Sequence, residues 1–395
     1  MKPLPNCQLR VETDRFGPFT FQVGVDLEDL VVPLQRVEDA HELFIKTPLN
    51  QVARQLEKDV VASSVFGTNT IEGGTLSEEE TARVLQLDPA EVKETEQRRA
   101  VNIKAAYDHA QEAARTPGWR LDLDFIRSIH AHITRDLPDP DMVPGVFRDN
   151  PKGKTTYVGD EAHGGRYKPP QYGGDVKLLM GKLIEWHDCL LEHEVPALIR
   201  APLVHFHYET IHPFWDGNGR VGRVIEATLL QAAGYRYAPF AMARHYLDNI
   251  HEYFTLFNTC RKSAEKHDAS PNQTFVRFHL EGMRVVIHRL HERGNSIVGV
   301  LLFESHIRRA FDRKEINARQ YTILSQLLDK GPTDLEAVRH SPWYRSLYVK
   351  LNDKTRIRDM NALREMELLF LDDKNRLWPG PMRPAHIKPV GKRSA

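Results

Sequence analysis

Cysteine is scarce in this chain, which has three cysteines, Cys7, Cys189 and Cys260, in 395 residues. Their wide separation excludes a dense disulfide framework and a Cys-x-x-Cys metal pair. A chain that relies so little on cysteine fits a reducing compartment, so the composition predicts a cytoplasmic protein.

Long apolar runs are also missing. The most apolar stretch, residues 297–303, is far shorter than the roughly 20 residues that a membrane-spanning helix needs. The first six residues, MKPLPN, lack the continuous apolar stretch of a secretory signal. Secretion and membrane insertion are therefore disfavoured, and we expect no membrane partner.

Neither sign of charge is in excess, because 54 Lys and Arg residues balance 54 Asp and Glu residues. A net charge of zero removes the electrostatic case for a dedicated nucleic-acid coat and leaves a local basic patch open. At about 150 residues per domain, the length predicts two or three domains.

Helical spacing of apolar residues dominates the pattern. Such residues recur from Leu27 onward and again after Pro48, and Ser77 with Glu80 predicts a capping box at the start of a further helix. Residues 1–30 show no sustained period and are expected to be irregular. We predict a mainly α-helical protein with an N-terminal helical region (1–110), a central core (111–294) and a C-terminal domain with its tail (295–395).

Two segments break the helical pattern. Between Pro144 and Tyr172, many glycines and prolines surround the β-prone stretch 155–158, which predicts an exposed β-hairpin or flap. After Gly294, two helices are followed by strand, turn and strand over 368–378. That order is typical of a winged helix.

One segment has the composition of a phosphate site: His212-Pro-Phe-Trp-Asp-Gly-Asn-Gly-Arg-Val-Gly-Arg223, followed by a helix-forming run. Its glycines let backbone N–H groups converge at a helix N-terminus, where partial positive charge attracts anions. Arg220 and Arg223 lie one turn apart and supply forked donors for a polyphosphate. Asp216 suits Mg²⁺, His212 suits a general base, and Phe214 is expected to anchor the loop in the core.

Two other interpretations of this segment fail on context. Gly217, Gly219 and Gly222 satisfy the dinucleotide-binding pattern, but neither an apolar strand nor βαβ alternation surrounds them. His205, His207 and His212 offer metal ligands, but they lack the His-Glu-x-x-His spacing.

The segment resembles the Fic-domain motif, His-x-Phe-x-(Asp/Glu)-Gly-Asn-Gly-Arg-x-x-Arg, at all eight fixed positions. The resemblance implies a helical protein with a β-hairpin flap that transfers AMP from ATP to a hydroxyl of a target protein. It implies that His212 deprotonates the target Ser, Thr or Tyr, and that Asp216 holds Mg²⁺. It also implies that Asn218 and Arg220 bind the α and β phosphates and that Arg223 binds the γ phosphate.

A second resemblance lies upstream, where Thr68-Asn-Thr-Ile-Glu72-Gly73 is similar to the family's inhibitory motif, (Ser/Thr)-x-x-x-Glu-(Gly/Asn). The resemblance implies that Glu72 pairs with Arg223 and takes the place of the γ phosphate, so that the isolated protein is self-inhibited. Without the resemblance, Glu72 reads as a solvated residue at a helix end.

The remaining nucleotide contacts also rest on the resemblance. Tyr253-Phe254 is similar to the family's paired aromatics, although Phe replaces the more usual second Tyr. The flap candidate falls between Pro144-Gly-Val-Phe-Arg148 and Pro169-Pro170, as in the family. The residues assigned to ATP are therefore Thr156, Tyr157, Val158, Gly159, Gly217, Asn218, Gly219, Arg220, Val221, Gly222, Arg223 and Tyr253.

The sequence thus predicts a Mg²⁺-dependent protein adenylyltransferase that uses ATP, modifies a protein target and itself, and is inhibited by Glu72. Transfer of another nucleotidyl or phosphoryl group and removal of AMP stay open. A regulator that binds nucleic acid through the C-terminal domain also stays open, although acidic residues interspersed among the basic ones of that domain favour a solvated or protein-binding surface. A homodimer formed through the same domain is a further alternative.

Overall fold

The computed structural model describes residues 7–47, 49–138, 143–384 and 386–387. These residues form two compact units, one within Met1–Lys46 and Ala53–Leu290, the other within Thr47–Val52 and His291–Ala395. The described chain is mainly helical, as predicted, with small antiparallel sheets. Pro48, after which the apolar pattern resumes, lies outside the described residues.

The first unit is built from helices and one pair of strands. Its helices are α1 Leu27–Ile45, the part of α2 Leu49–Ile71 from Ala53 onward, α3 Glu78–Val84, α4 Thr95–Arg115, α5 Leu123–Thr134, α6 Gly173–Glu192, α7 Ala197–Ile211, α8 Asn218–Ala232, α9 Ala238–Asp248, α10 Ile250–Glu265 and the part of α11 Gln273–Asp312 up to Leu290. The predicted capping box is confirmed, since the Ser77 and Glu80 side chains each bond the other's backbone N–H at the start of α3.

Helix α8 lies at the centre of this unit and packs against α4, α5, α7 and α9. Every residue from Arg220 to Leu230 is buried. Each large apolar side chain removed from water in this way contributes about 1.5–3 kcal/mol. The same burial encloses Arg220, Arg223 and Glu226, which must therefore find partners inside the protein.

The expectation that residues 1–30 are irregular is wrong. Strand β1 Leu9–Glu12 pairs antiparallel with β2 Pro18–Phe21, with Val11 opposite Phe19. The turn between them is held from far along the chain, because the Asp175 carboxylate accepts the backbone N–H groups of Asp14, Arg15 and Phe16. Such short strands give a weak periodic signal, and no local pattern predicts the distant carboxylate.

The predicted flap is a loop that one antiparallel bridge closes. Val158 and Tyr167 exchange both backbone hydrogen bonds, at 2.9 and 2.8 Å. Gly159, Gly164 and Gly165 all have positive φ, at 81°, 92° and 103°, so the backbone turns away before regular strands can form. The bridge still fixes the position of the segment that follows it.

The second unit has its own core and sheet. It contains the rest of α11, then α12 Ala318–Lys330, α13 Leu335–His340, α14 Pro342–Ser346, α15 Asp353–Glu365, and the strands β3 Thr333–Asp334, β4 Leu369–Leu371 and β5 Arg376–Pro379. The sheet order is β3-β5-β4, all antiparallel. The helices and the strand–turn–strand predicted here are present, whereas β3, α13 and α14 were not predicted. Among the described residues, none of the helices combines the length and apolarity that a membrane crossing requires.

Candidate active site

His212 lies at the junction between α7 and the loop that leads into α8. It adopts a left-handed backbone conformation (φ 51°, ψ 64°), and its N–H donates to Tyr208 O at 2.9 Å. This conformation costs a non-glycine residue on the order of 1 kcal/mol, so the surroundings must enforce it. The turn directs the chain away from the helix axis and starts the loop.

Arg148 enforces that turn. Its Nε donates to His212 O at 2.7 Å and its Nη2 to Pro170 O at 2.6 Å, while its backbone N–H donates to Pro213 O at 2.9 Å. Burial lowers the pKa of Arg148 to about 10, which leaves the guanidinium charged at neutral pH. The sequence marks Arg148 only as a flank of the flap and does not predict this role, because the contacts join distant parts of the chain.

Phe214 anchors the loop, as expected, and is fully buried. Its ring stacks on His130 with centroids 3.7 Å apart and planes 4° apart. Because His130 Nδ1 accepts the Gly145 N–H, its Nε2 carries the proton and donates to Asp216 O at 3.1 Å. Burial lowers the pKa of His130 to about 4, so this buried ring stays neutral. No sequence signal pointed to His130.

The loop closes on itself through Asn218. The Asn218 side chain accepts the Phe214 N–H at 2.9 Å and donates to Phe214 O at 2.8 Å. Gly217, with φ of 81°, then turns the chain into α8. The amide oxygen and nitrogen of Asn218 are both engaged inside the loop, so a phosphate contact through this side chain requires the pair to open.

Arg220 is buried beside the loop with donors to spare. Its Nη2 donates to Asp216 Oδ2 at 2.5 Å, whereas its buried Nε and Nη1 have no partner among the described residues. Burial alone would raise the pKa of Asp216, but the Arg220 charge and hydrogen bond, with the Gly217 N–H, hold it below its usual value. Asp216 is therefore an ionised carboxylate, and half of its side chain is exposed.

Arg223 and Glu72 form an ion pair over the start of α8. Arg223 Nη2 lies 2.6 Å from Glu72 Oε1, and Nη1 lies 3.5 Å from the Tyr253 hydroxyl. Burial alone would lower the pKa of Arg223, but Glu72 raises it well above its ordinary value, so the guanidinium stays charged. A Cβ placed on Gly219 would lie 2.3 Å from Glu72 Oε1, so the carboxylate sits directly against the first turn of α8.

The end of α2 holds the Glu72 carboxylate in this place. The Glu72 N–H donates to Asn69 O, and Gly73, with φ of 81°, returns its N–H to Thr70 O. From the other side, Arg99 Nη2 donates to Glu72 O at 3.0 Å. The backbone of Glu72 is therefore fixed on both sides, and its side chain is only about a quarter exposed.

Glu72, Arg223 and His212 open onto one cavity of about 300 Å³, at the lower end of the volume of small-molecule sites. Of the residues predicted for the site, the ones that line it are Glu72, Val158, Gly159, His212, Gly219, Arg223 and Tyr253. Lining residues that were not predicted from the sequence include Glu209, His163, Phe257 and Asn258.

Several residues assigned to ATP lie away from the cavity wall. The Thr156 backbone N–H donates to the Gln171 side chain, Tyr157 is exposed, and Val221 is core. Gly222 serves the packing of α7 on α8, because a Cβ there would lie 2.6 Å from Glu209 Oε1 and 2.7 Å from the His205 ring. The lining of the cavity does not include Gly217, Asn218, Arg220 or Asp216 either.

Glu209 was missed although it lies one turn before His212. Its Oε2 is 3.6 Å from His212 Nδ1, and this nitrogen and Glu209 Oε1 are both buried without a hydrogen-bond partner in the described chain. A carboxylate three residues before the histidine on a helix is a local signal that could have found it.

The other histidines of α7 belong to the interior. His205 Nδ1 lies 2.7 Å from Glu226 Oε2, and its Nε2 lies 3.2 Å from the Tyr253 hydroxyl. His207 Nε2 lies 3.2 Å from Gln22 O. Within the described residues, His205, His207 and His212 do not converge as metal ligands. The helix before the glycines likewise replaces the strand that a dinucleotide fold requires.

Comparison with known proteins agrees with this architecture. Residues 120–230 match the Fic/DOC family. The chain is similar to the protein adenylyltransferase Fic of Drosophila virilis, 27% identical over 190 residues that cover 47% of this chain and 36% of the fly protein. It is similar to that of Aedes aegypti, 26% identical over 214 residues that cover 53% and 39%. The chain thus spans about a third of the length of the curated relatives it matches.

Two solved structures share the fold. A Fic-domain-containing signaling protein from Bacteroides thetaiotaomicron superposes with a TM-score of 0.56 at 17% identity, covering 66% of this chain and 96% of that one. A Fic family protein from Desulfovibrio desulfuricans gives 0.54 at 18% identity, covering 89% and 95%. At these identities the likeness shows the fold alone, which this chain shares with both Fic proteins. Residues 120–230 are thus similar to Fic/DOC domains in sequence, and the chain resembles Fic-domain proteins in fold.

Proposed function

We propose that this protein transfers AMP from ATP to a Ser, Thr or Tyr hydroxyl of a target protein and of itself. The observation that carries the proposal is the Arg223–Glu72 pair, which lies against the N-terminus of α8 in the cavity that His212 lines. Two buried arginines at a helix N-terminus make a site for a polyanion, and in this conformation a carboxylate occupies it.

The triphosphate would bind along the first turn of α8. Arg220 offers buried donors that lack partners, and leaving such donors unmet costs about 1–3 kcal/mol that an anion can recover. Arg223 would exchange Glu72 for the γ phosphate. The backbone N–H groups at Asn218 and Gly219 would face the charge that grows on the α phosphoryl group.

His212 would act as the general base. The target oxygen attacks the α phosphorus, the bond from that phosphorus to the bridging oxygen breaks, and pyrophosphate leaves with the bond's electron pair. The hydroxyl proton passes to the imidazole of His212. Removing a positioned base of this kind lowers a rate by about 10²- to 10⁴-fold. Glu209, 3.6 Å from Nδ1, would orient the ring.

Mg²⁺ would accompany ATP, and the donor set here fits it. Asp216 is an ionised, half-exposed carboxylate, and Mg²⁺ typically takes one or two carboxylates together with phosphates and water. When bound, the ion would neutralise phosphate charge. Arg220 holds Asp216 in place and would share the phosphates with the ion.

Self-inhibition follows from the same pair. A carboxylate 2.6 Å from Arg223 excludes a γ phosphate from that position by occupancy and by like charge. Val158 and Gly159 from the flap, with Tyr253, would contact the nucleotide or the target backbone. We also propose that the protein acts on a protein target, forms a homodimer and is cytoplasmic. We further propose that the chain has three domains and that the last of them, residues 295–395, is a winged helix.

The test uses radiolabelled ATP with Glu72→Gly, wild type, and Glu72→Gly combined with His212→Ala. We expect Glu72→Gly to incorporate label from the α phosphate of ATP about tenfold or more faster than wild type. Adding His212→Ala should lower that rate of incorporation by about 10²-fold or more. Glu79→Gly, at an exposed acid in the first turn of α3, is the matched control and should behave as wild type.

Intact mass of the product separates AMP from other adducts, and parallel reactions with UTP, GTP and CTP test the nucleotide. Equal labelling of Glu72→Gly and wild type would remove the inhibitory role. Labelling that persists without His212 would remove the proposed base.

A further inference from the structure

Two of the three cysteines, far apart in sequence, meet a histidine at the C-terminal end of α6. Cys7 Sγ lies 3.4 Å from Cys189 Sγ, and Cys189 Sγ lies 3.6 Å from His193 Nδ1. Within the part of the chain that the structure describes, this is the group of three metal-binding side chains whose ligand atoms all lie within 4.8 Å of one another. The cluster is separate from the cavity described above.

The surrounding structure holds these side chains in place. Cys189 and His193 are four residues apart at the end of α6, which puts them on one helix face. Cys7 O accepts a hydrogen bond of 2.6 Å from the indole nitrogen of Trp186, a fully buried side chain one turn earlier in the same helix. Strand β1 starts two residues after Cys7 and also contacts α6.

The distances suit a tetrahedral ion. With metal–sulfur bonds of about 2.3 Å and metal–nitrogen bonds of about 2.0–2.1 Å, two sulfurs lie about 3.8 Å apart and sulfur and nitrogen about 3.6 Å apart. The observed 3.4 and 3.6 Å are close to those values. A disulfide would instead require the sulfurs to approach to about 2.05 Å and would leave the histidine without a role.

We propose that Cys7, Cys189 and His193 bind a zinc ion, with water in the fourth position. Each thiol gives up its proton to solvent as its sulfur bonds the metal, so one Zn²⁺ enters and two protons leave, without oxidation or reduction. His193 Nδ1 exchanges its bond to Cys189 O for the metal, with the ring proton on Nε2. The ion ties the chain before β1 to the end of α6.

Cobalt(II) is the probe, because its thiolate complexes absorb in the near ultraviolet and its tetrahedral complexes in the visible. The full chain is reduced with a phosphine, freed of metal and titrated with Co²⁺, followed by displacement with Zn²⁺. Wild type should bind one Co²⁺ per chain with a thiolate charge-transfer band, and Zn²⁺ should abolish that band. Zinc should also raise the thermal unfolding midpoint.

Variants locate the site. Cys189→Ser should lose the band, and His193→Ala, at an exposed position, should bind roughly tenfold or more weakly. Cys260→Ser is the matched control, since Cys260 is buried elsewhere beside Thr274, and it should keep the full band. Circular dichroism of each metal-free variant confirms that it is folded.

Three results would overturn the proposal: no thiolate band in wild type, an undiminished band in Cys189→Ser, or a wild-type chain two hydrogens lighter that takes up no metal after reduction. The last would make the pair a disulfide. None of these results bears on AMP transfer.

Discussion

Arg223 is a buried cation, and the groups that pair with it determine whether an anion can bind at the start of α8. Glu72 gives it a short charge-assisted bond, Thr68 O lies 3.4 Å from Nη2, and the Tyr253 hydroxyl lies 3.5 Å from Nη1. Breaking a buried ion pair by removing one partner costs about 3–5 kcal/mol, because the remaining charge is left without compensation. For the same reason, a phosphate should bind Arg223 most favourably when the Glu72 carboxylate is absent.

Glu72→Gly should therefore be less stable than wild type without nucleotide, and more strongly stabilised by it. We expect the free energy of unfolding to fall by about 3 kcal/mol, less where water reaches the partly exposed site. Saturating Mg·ATP should recover most of this loss in the variant and shift wild type little. Calorimetry with and without Mg·ATP measures both effects.

The control for that experiment is Glu79→Gly, which should lose little stability and show the small nucleotide shift of wild type. Equal nucleotide shifts in Glu72→Gly and wild type would contradict the exchange of carboxylate for phosphate on Arg223.

Helices α7 and α8, with the loop between them, hold most of the predicted site residues. The two helices pack closely because Gly222 has no side chain. A Cβ there would lie 2.6 Å from Glu209 Oε1 and 2.7 Å from His205 Cδ2, both on α7. Separating two packed helices by one methyl group costs about 1–3 kcal/mol. It would also move Glu209 and His212 relative to Arg223.

Two glycine-to-alanine substitutions test this packing. Gly222→Ala should lower the free energy of unfolding by about 1–3 kcal/mol. Gly181→Ala, inside α6 where nothing lies within 4 Å of the new Cβ, should raise it by about 0.5–1 kcal/mol. Urea unfolding measures both. A stabilised Gly222→Ala would show that the helices do not need the glycine.

What the sequence predicted of these elements depended on distance along the chain. Some features involve only residues within one or two turns of each other, so a local sequence pattern predicts them. These are the capping box at Ser77, the anchoring Phe214 and the glycines at the start of α8. The supports from Arg148, His130 and Asp175 join segments far apart, and only the fold brings them together. The Glu72–Arg223 pair came from family resemblance, since a glutamate before two glycines carries no pairing information.

Across the whole molecule, buried neutral histidines make stability depend on pH. Burial lowers the pKa of His130, His207 and His245 to about 4 each, and burial with the nearby Arg200 and Arg120 lowers that of His187 to about 3. The unfolded value is about 6.5. Their contribution is therefore complete above pH 6.5 and is lost as pH falls towards 4, because the unfolded chain takes up protons that the folded chain refuses.

His187→Leu should make this dependence less steep. Its ring nitrogens are buried without hydrogen-bond partners among the described residues, so leucine keeps the packing and removes one titrating group. Between pH 6 and pH 4 the slope of unfolding free energy against pH should fall by roughly 1 kcal/mol per pH unit. Urea unfolding at several pH values, followed by tryptophan fluorescence, measures the slope.

His267→Asn is the control for the pH series. His267 is exposed with φ of 59°, a conformation that asparagine tolerates, so the slope should not change. A His187→Leu slope equal to that of wild type would mean that His187 titrates in the folded protein as it does in the unfolded chain.

The proposed function depends above all on the loop from His212 to Arg223, which should bind the triphosphate once Glu72 is removed. The most direct measurement is a crystal structure of Glu72→Gly combined with His212→Ala, grown with Mg²⁺ and ATP. We predict phosphates against the first turn of α8, with Arg223 on the γ phosphate, Arg220 on its neighbours and Mg²⁺ near Asp216. Nucleotide bound elsewhere, or phosphates that do not contact Arg220 and Arg223, would contradict the account.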